Sequence, residues 1–490
     1  MATSSPPATH LVFVRHGQSL FNRDGAEASA DAGLTALGWL QSHAVAAWLA
    51  RALQADAIIS STMVRARQTA EVISRRLSLP LEFQPGLEEA DQPYWNEFPQ
   101  AQPAAPLALW DAAWHPTAES APTYTAFRAR LRQAMDAILQ AHADQTVVVV
   151  SHGGAIATII RSLFGGHQVS IFTENTGITH LAWQEGRWRL IAHNTQAHLE
   201  AVTQRTATPG IGEAGAPTEA RSPYPWADDA HMWAIVSNYE RVAAAQPVEP
   251  AIPSDKDLRA LIALASLRPG ARVLDAGAGT GALALAFAPH AAEVIGVDLS
   301  PAMLERAEQA RVVRKATNVY FRWADAADLP FSDGSFDLVV SRNLLNYVAE
   351  PAALLMGFTR VLRPHGRLLV DEIIGSDDPV KRATHETIEI RRNPAFIRVH
   401  SRAAVESLLA RTGFRIEKAE TPETTRELTE WLERAAADEA TRSAVRTMIV
   451  ASAGTNAAGL RSKLGRDGTI TFVQRRLRLA AVKGRQPTGG

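Results

Sequence analysis

LVFVRHGQSLFN, residues 11–22, is an apolar run that stops abruptly at Arg15, His16 and Gly17. Its β-branched and aromatic content over a short span, closed by glycine, predicts a buried strand. A second run, TVVVVSHGG at 146–154, ends the same way, at His152 and Gly153. A third, AIISS at 57–61, leads into TMVRARQTA and brings Arg65. In an open α/β sheet, ligands bind beyond the carboxyl ends of the strands. Two histidines and at least two arginines are therefore expected at one crevice. Guanidinium forks grip phosphate oxygens, and Gly17 is expected to give the ligand room. The SHGGA turn also opens a helix, whose first amides favour an anion.

Outward from these strands, helical and strand patterns alternate. LTALGWLQSHAVAAWLARAL (34–53), VRARQTAEVISRRL (64–77), TYTAFRARLRQAMDAILQAH (123–142) and GAIATIIRSLF (154–164) read as helices. ITHLAWQ and RWRLIAH read as a hairpin turning at Glu185–Gly186. Alternation of this kind implies a largely parallel sheet covered by helices. A Pro-rich patch at 98–110 reads as a loop insertion. QRTATPGIGEAGAPTEARSPYPWADD, 204–229, has no periodicity and reads as a linker with the entry to a second domain.

After it the alternation returns. RVLDAG (272–277), EVIGVDL (293–299), VYFRWA (319–324), FDLVVSR (336–342) and RLLVDEII (367–374) read as strands between helices. RVLDAGAGTGALAL puts Asp275, Gly277, Gly279 and Gly281 at a strand-to-helix junction. The next strand ends in Asp298, about 20 positions on, where a carboxylate suits ribose hydroxyls. In the tail, TRELTEWLERAAADEATRSAVRTMIVASA from Thr425 reads as helical. TITFVQRRLRLAAVKG reads as a closing edge strand with solvated arginines.

Composition narrows the function. With 490 residues, two or three domains are expected. Lys plus Arg is 50 against 51 for Asp plus Glu, which argues against a general nucleic-acid or membrane binder. The absence of cysteine excludes disulfides, zinc-thiolate sites and thiol nucleophiles. The first residues lack a leader pattern, and no apolar run approaches the ~20 residues of a membrane span. The expectation is a cytoplasmic enzyme that engages neither nucleic acid nor membrane. Its oligomeric state is not legible.

The stretch from His10 to His198 resembles the histidine phosphatase superfamily, also called phosphoglycerate mutase-like. The motifs are VRHGQSLFN, GLTALGWLQ, ISSTMVRARQTAE, GLEEAD, VVVVSHGGAI and NTGITHLAW with WRLIAHNTQAHL. The resemblance implies that His16 takes the phosphoryl group, while Arg15, Arg65 and His152 bind its oxygens. Asn22 and the Gly153 amide are further candidates for the same pocket. Glu89 is the implied proton donor to the leaving alkoxide and activator of water, chosen over Glu88 by its position two after Leu87. No metal is expected. The chain departs from the family where ADQPYWNEFP follows the acid, and it lacks the extended mutase signature. Hydrolysis of a small phosphomonoester is therefore expected rather than mutase chemistry. The segment 94–124, with Trp95, Trp110 and Trp114, is expected to cap the pocket, the tryptophans serving there or as ordinary packing residues.

The region from Tyr224 to beyond Phe414 resembles class I S-adenosylmethionine-dependent methyltransferases, closest to the ubiquinone and menaquinone branch. It carries VLDAGAGTGALA, VIGVDLSPAMLERA, ADAADLPFSDGSFDLVVSRNLLNYV and EPAALLMGFTRVLRPHGRLLVDE. The resemblance implies S-adenosyl-L-methionine as cofactor. Gly277, Gly279 and Gly281 would pass close to it, with Asp275 at its amino-acid end and Asp298 and Leu299 at the ribose. Asp325 and Ala326 would face the adenine, and Ser341 to Asn343 the sulfonium. Asn346 and Tyr347 stand where many relatives carry a histidine pair, with an acceptor-side role or helix packing both open.

The expected organisation is α/β throughout: a histidine-phosphatase α/β sandwich at 8–203, a linker at 204–223, and a Rossmann-like methyltransferase with a mostly parallel sheet at 224–486. The expected function is bifunctional, with a phosphomonoester and a small-molecule methyl acceptor as partners. Two alternatives are a phosphatase regulated by a non-catalytic S-adenosylmethionine-sensing domain and a phosphoprotein phosphatase.

Overall fold

The computed structural model describes residues 8–25, 29–91, 93–98, 115–167, 169–199, 230–245 and 255–484. The expected linker at 204–223 and most of the Pro-rich insertion, with Trp110 and Trp114, lie outside the described residues. The chain divides into two compact units, Met1–Pro225 and Trp226–Gly490. Among the described residues, no helix is long and apolar enough to cross a membrane.

In the first unit, β1 (Thr9–Arg15), β2 (Ala57–Ser60), β3 (Leu81–Phe83), β4 (Thr146–Ser151), β5 (Ile178–Gln184) and β6 (Arg187–Thr195) form one sheet. The order is β3-β2-β4-β1-β5-β6. The first four are parallel, and the β5–β6 hairpin joins β1 antiparallel. Its turn is Glu185–Gly186, both in left-handed backbone at φ 53° and 75°, as a two-residue hairpin turn requires. The helices are α1 (Leu20–Asp24), α2 (Ala36–Ala52), α3 (Val64–Leu77), α4 (Pro122–Ala141) and α5 (Gly153–Phe164). Val147 to Val150 are 0% exposed, because the central strand is covered on both faces, and this explains its unbroken valine run. Leu11, Phe13, Val147 and Val149 pack against Phe127 and Leu131 of α4 and Ile156 and Ile159 of α5.

The second unit begins with α6 (Ala230–Ala245), a helix the sequence reading did not isolate, and α7 (Asp255–Ala265). There follow β7 (Arg272–Ala276), α8 (Ala282–Phe287), β8 (Glu293–Asp298), α9 (Pro301–Val313), β9 (Val319–Trp323), β10 (Phe336–Arg342), α10 (Pro351–Val361) and β11 (Leu362–Ile374). Next come α11 (Pro379–Arg392), α12 (Arg402–Arg411), β12 (Phe414–Glu420) and β13 (Glu423–Glu427). The chain closes with α13 (Leu428–Arg434), α14 (Glu439–Ala453), β14 (Lys463–Leu464) and β15 (Ile470–Lys483). The sheet runs β12-β15-β11-β10-β7-β8-β9. Its strands from β11 to β9 are parallel.

Two expectations for the tail need correction. The helical stretch from Thr425 is interrupted: its start pairs with β15 as β13, and a new helix begins where Asp438 accepts from Thr441 N. The closing strand is not an edge. It lies between β11 and β12 and also pairs β13 and β14. Its Arg476 and Arg478 are 3% and 5% exposed. The pairing sets Asp371 of β11 beside them, so the alternation that resembles a solvated face is a buried ionic one.

Candidate active sites

In the first unit the parallel register sets Arg15 beside Ser151. The residues that follow are therefore delivered side by side: the rings of His16 and His152 have centroids 5.0 Å apart. The strand β2 lies on the other side of β4, and the helix after it points Arg65 at the same place. Arg65 Nε donates to His16 Nε2 at 3.0 Å. On the other ring nitrogen, His16 Nδ1 lies 2.7 Å from the Gly17 carbonyl oxygen. A carbonyl only accepts, so the proton sits on Nδ1 and the lone pair on Nε2.

His16 is 2% exposed and His152 0%. Burial, with Arg65, His152 and Arg15 close by, holds the His16 imidazole well below the usual histidine range. His152 is held down by burial and by Arg65 and Arg15 in the same way. Its Nε2 pairs with Ser61 Oγ at 2.9 Å. Arg15 donates from Nη1 to the Thr173 carbonyl at 2.5 Å. The Arg15 Nε and His152 Nδ1 atoms are buried without a hydrogen-bond partner, the state of a site built for a polar ligand.

Gly17 has a different reason from the expected one. A Cβ there would lie 2.4 Å from the Gly38 carbonyl oxygen. Its task is close approach to the start of α2, not room for a ligand. Its amide is held by Thr69 Oγ1 at 3.0 Å. Asn22 is exposed, and its Oδ1 accepts from Asn175 Nδ2 at 3.1 Å. Asn175 also donates to the His16 carbonyl at 3.0 Å. Thr69, Thr173 and Asn175 were given no role by the sequence reading, because they act on or through main-chain atoms: Thr69 Oγ1 on the Gly17 amide, Asn175 Nδ2 on the His16 carbonyl, and Thr173 through its own carbonyl.

Glu88 and Glu89 separate cleanly. Glu88 is occupied by Arg130 at 2.9 Å, the Gly86 amide at 2.7 Å and Thr62 at 2.5 Å. Glu89 accepts from the Gly154 amide at 2.9 Å. That bond ties it to the first turn of α5, next to His152. A Cβ on Gly154 would lie 2.4 Å from Glu89 Oε1, so the second glycine of SHGG keeps the carboxylate in place. Gly153 has a looser neighbour, Arg15 Nε at 3.5 Å. Of the expected cap, Trp95 is described and is 62% exposed.

In the second unit a cavity of about 460 Å³ opens beyond the carboxyl ends of β7, β8 and β10, the position expected for a ligand in such a sheet. Asp275, Gly277, Gly279, Asp298, Leu299, Asp325 and Ala326 line it. Asp298 accepts from the Gly279 amide at 2.8 Å and the Ser300 amide at 2.9 Å, which fixes the loop against the strand end. Gly277 and Gly279 have φ of 74° and 54°, a left-handed path that glycine takes without strain. Burial pushes the Asp275 carboxyl up to about 7, against the pull of the Ala284 amide.

Gly281 and Ser341 are not among the lining residues. A Cβ on Gly281 would strike the Phe321 ring at 2.5 Å, and its φ is 78°, so its constraints are packing and a left-handed backbone. Arg342 and Asn343, just beyond Ser341, do line the cavity. Tyr347 lines it too, whereas Asn346 is 0% exposed and donates to Glu372 and the Ile373 carbonyl. Part of the wall comes from α6, through His231, Met232, Ile235 and Tyr239. Among the described residues, no group of three or more His, Asp or Glu side chains could hold a metal ion.

Residues 11–196 match the family model of the histidine phosphatase superfamily, branch 1. Residues 267–435 match a methyltransferase domain model. The chain is 34% identical over 153 residues to an uncharacterized methyltransferase, YcgJ, of Bacillus subtilis, covering 31% of this chain and 60% of that protein. It is 36% identical over 132 residues to a demethylmenaquinone methyltransferase of Clavibacter sepedonicus, covering 27% of this chain and 53% of that one. A crystal structure of YcgJ aligns with a TM-score of 0.45 at 25% identity, over 47% of this chain and 99% of that chain. The chain thus spans less than two thirds of the length of these two sequence relatives. It joins two domains of known families, a histidine phosphatase superfamily domain over residues 11–196 and a methyltransferase domain over residues 267–435.

Proposed function

We propose that the chain is a bifunctional enzyme, a phosphomonoesterase working through phosphohistidine and an S-adenosylmethionine-dependent methyltransferase acting on a small molecule. The observation that carries the first half is the contact of His16 Nδ1 with the Gly17 carbonyl, which assigns the proton to Nδ1 and leaves Nε2 as a neutral nucleophile among Arg15, Arg65 and His152. In this reading His16 Nε2 attacks phosphorus, and the P–O ester bond breaks as Glu89 protonates the leaving oxygen. Glu89 then takes a proton from water, which attacks phosphorus and breaks the P–N bond, returning His16 and free phosphate. The arginines and His152 hold the phosphate oxygens throughout, which is most of what phosphoryl transfer asks of a protein. Arg65 Nε occupies the attacking lone pair in the ligand-free geometry, so the substrate phosphate must draw that N–H away. Assay of the full chain against a panel of phosphomonoesters, with chelator present, is expected to give phosphate release. Absence of release from every ester would count against this half.

For the second half, the cavity's polar groups fit an adenosyl amino acid. Asp298 has both oxygens oriented by backbone amides and stands where ribose hydroxyls would bind, and Asp275 is the anion for an ammonium group. Asp325 and Ala326 would lie along the base. When bound, S-adenosylmethionine supplies an electrophilic methyl group. The residues around it need chiefly to align the acceptor and exclude water.

The buried Asp275 carboxyl makes this half pH-dependent. Only its ionised form pairs with an ammonium, and its pKa is raised to about 7. Affinity for S-adenosylhomocysteine is therefore expected to be full above pH 8 and to weaken as pH falls through 7 towards 6, by up to about tenfold per unit. Isothermal titration across this range, with Asp275→Asn as the weak, pH-flat comparison, checks it. A wild-type affinity flat from pH 6 to 8 would contradict the assignment.

A further inference from the structure

Three guanidinium groups converge on one buried carboxylate beside the second cavity. Arg342 of β10 is the register partner of Asp371 on β11, and Asp371 is the partner of Arg478 on β15. Asp371 is 1% exposed. It is reached by Arg342 Nε at 3.1 Å, Arg476 Nε at 2.8 Å and Arg478 Nε at 3.4 Å. The two arginines of β15 have further partners. Arg478 is paired with Asp257 at 2.5 Å, and Glu420, over half exposed, lies 3.8 Å from it. Arg476 donates to Asn343 Oδ1 and to the Asp371 carbonyl, each at 2.8 Å. Arg342 has its share of Asp371.

The carboxylates are unevenly shared: Asp257 serves Arg478 and the buried Glu372 lies near Arg476, whereas Arg342 has only a third share of Asp371 by direct contact. A cation kept from water without its own counter-charge is costly. Arg342 differs from the other two in lining the cavity. Burial, then Arg476, pushes its pKa down to about 10, with Asp371 opposing. Asp275, on the neighbouring strand β7 and also lining the cavity, is close enough to feel the Arg342 charge.

We propose that Arg342 is the seat of an anionic group, a carboxylate or phosphate, bound inside the methyltransferase cavity. The proposal rests on the cofactor reading above. Two ligands can bring such a group. The amino-acid end of the cofactor carries an ammonium and a carboxylate, which Asp275 and Arg342 would divide between them. Otherwise the methyl acceptor is itself an anion, and the cavity selects acidic small molecules over neutral ones.

The test is titration of the full chain and of Arg342→Met with S-adenosylhomocysteine and with 5′-methylthioadenosine, which lacks the amino-acid end. Asp371 keeps Arg476 and Arg478 in the variant, and its ligand-free melting curve reports whether the fold is retained. A loss of about tenfold or more for S-adenosylhomocysteine, with 5′-methylthioadenosine unchanged and partial recovery in Arg342→Lys, assigns the seat to the cofactor carboxylate. If both nucleosides bind unchanged, the S-adenosylhomocysteine complexes are titrated with benzoate and with inorganic phosphate. Binding present in the wild type and lost in Arg342→Met assigns the seat to the acceptor. Phosphate held at the His16 site is common to both proteins and cancels. No difference in any arm, or equal weakening of both nucleosides, overturns the proposal. A wild type that binds neither nucleoside refutes the cofactor reading itself, a distinct result.

Discussion

His16→Ala is expected to lose phosphate release from every phosphomonoester the wild type hydrolyses, by roughly 10⁴-fold or more. The size follows from the site. His16 Nε2 is the one ring atom there with its lone pair fixed by a backbone partner on the opposite nitrogen. His152 is held differently, with its Nε2 paired to Ser61 and no backbone carbonyl on its Nδ1 to fix the proton there. Removing an oxygen-binding group weakens a charge contact, whereas removing the nucleophile removes the reaction path. Steady-state rates with chelator, beside an unfolding curve for the variant, check the result. A variant retaining a tenth of the wild-type rate would mean that water attacks the ester directly.

Glu89→Gln is expected to slow alkyl phosphates by about 10² to 10⁴-fold, the range of a positioned proton donor. An aryl phosphate departs without protonation, so its first step should be nearly untouched. The second step still needs a base, and the amide is none. A nitrophenyl ester should therefore give a burst of phenolate matching the enzyme concentration, followed by slow turnover. Glu88→Gln should change much less, because Glu88 is committed to Arg130, Thr62 and Gly86. Rapid mixing with the two ester classes checks the contrast. Equal slowing of alkyl and aryl esters, without a burst, would remove Glu89 from the proton-transfer role.

Much of this was legible in the chain because strand ends are read in one dimension. VFVRHG and VVVVSHGG each stop at a histidine, and parallel pairing in register brings two such stops together. The loop at Asp275 and the carboxylate at Asp298 were legible for the same reason, as adjacent strand ends of one sheet. What was not legible depends on distant partners. The constraint on Gly17 is the Gly38 carbonyl, and that on Gly154 is Glu89. Both glycines look like generic turn residues in isolation. Arg476 and Arg478 looked solvated because alternation reports a face, and only the pairing with Asp371, 105 and 107 positions earlier, says that this face is buried. Gly281 and Ser341 follow the cofactor motifs in sequence, yet one serves Phe321 and the other stands one residue short of the cavity wall.

The central claim is that His16 carries the phosphoryl group. Glu89→Gln, mixed with an aryl phosphate and quenched in the burst, offers the most direct measurement, since the intermediate should accumulate there. Peptide mass analysis under alkaline conditions is expected to find one acid-labile phosphoryl group on the peptide containing His16, absent from the His16→Ala, Glu89→Gln double variant. Phosphoryl transfer to another residue, or a burst with no phosphorylated peptide, would contradict the account.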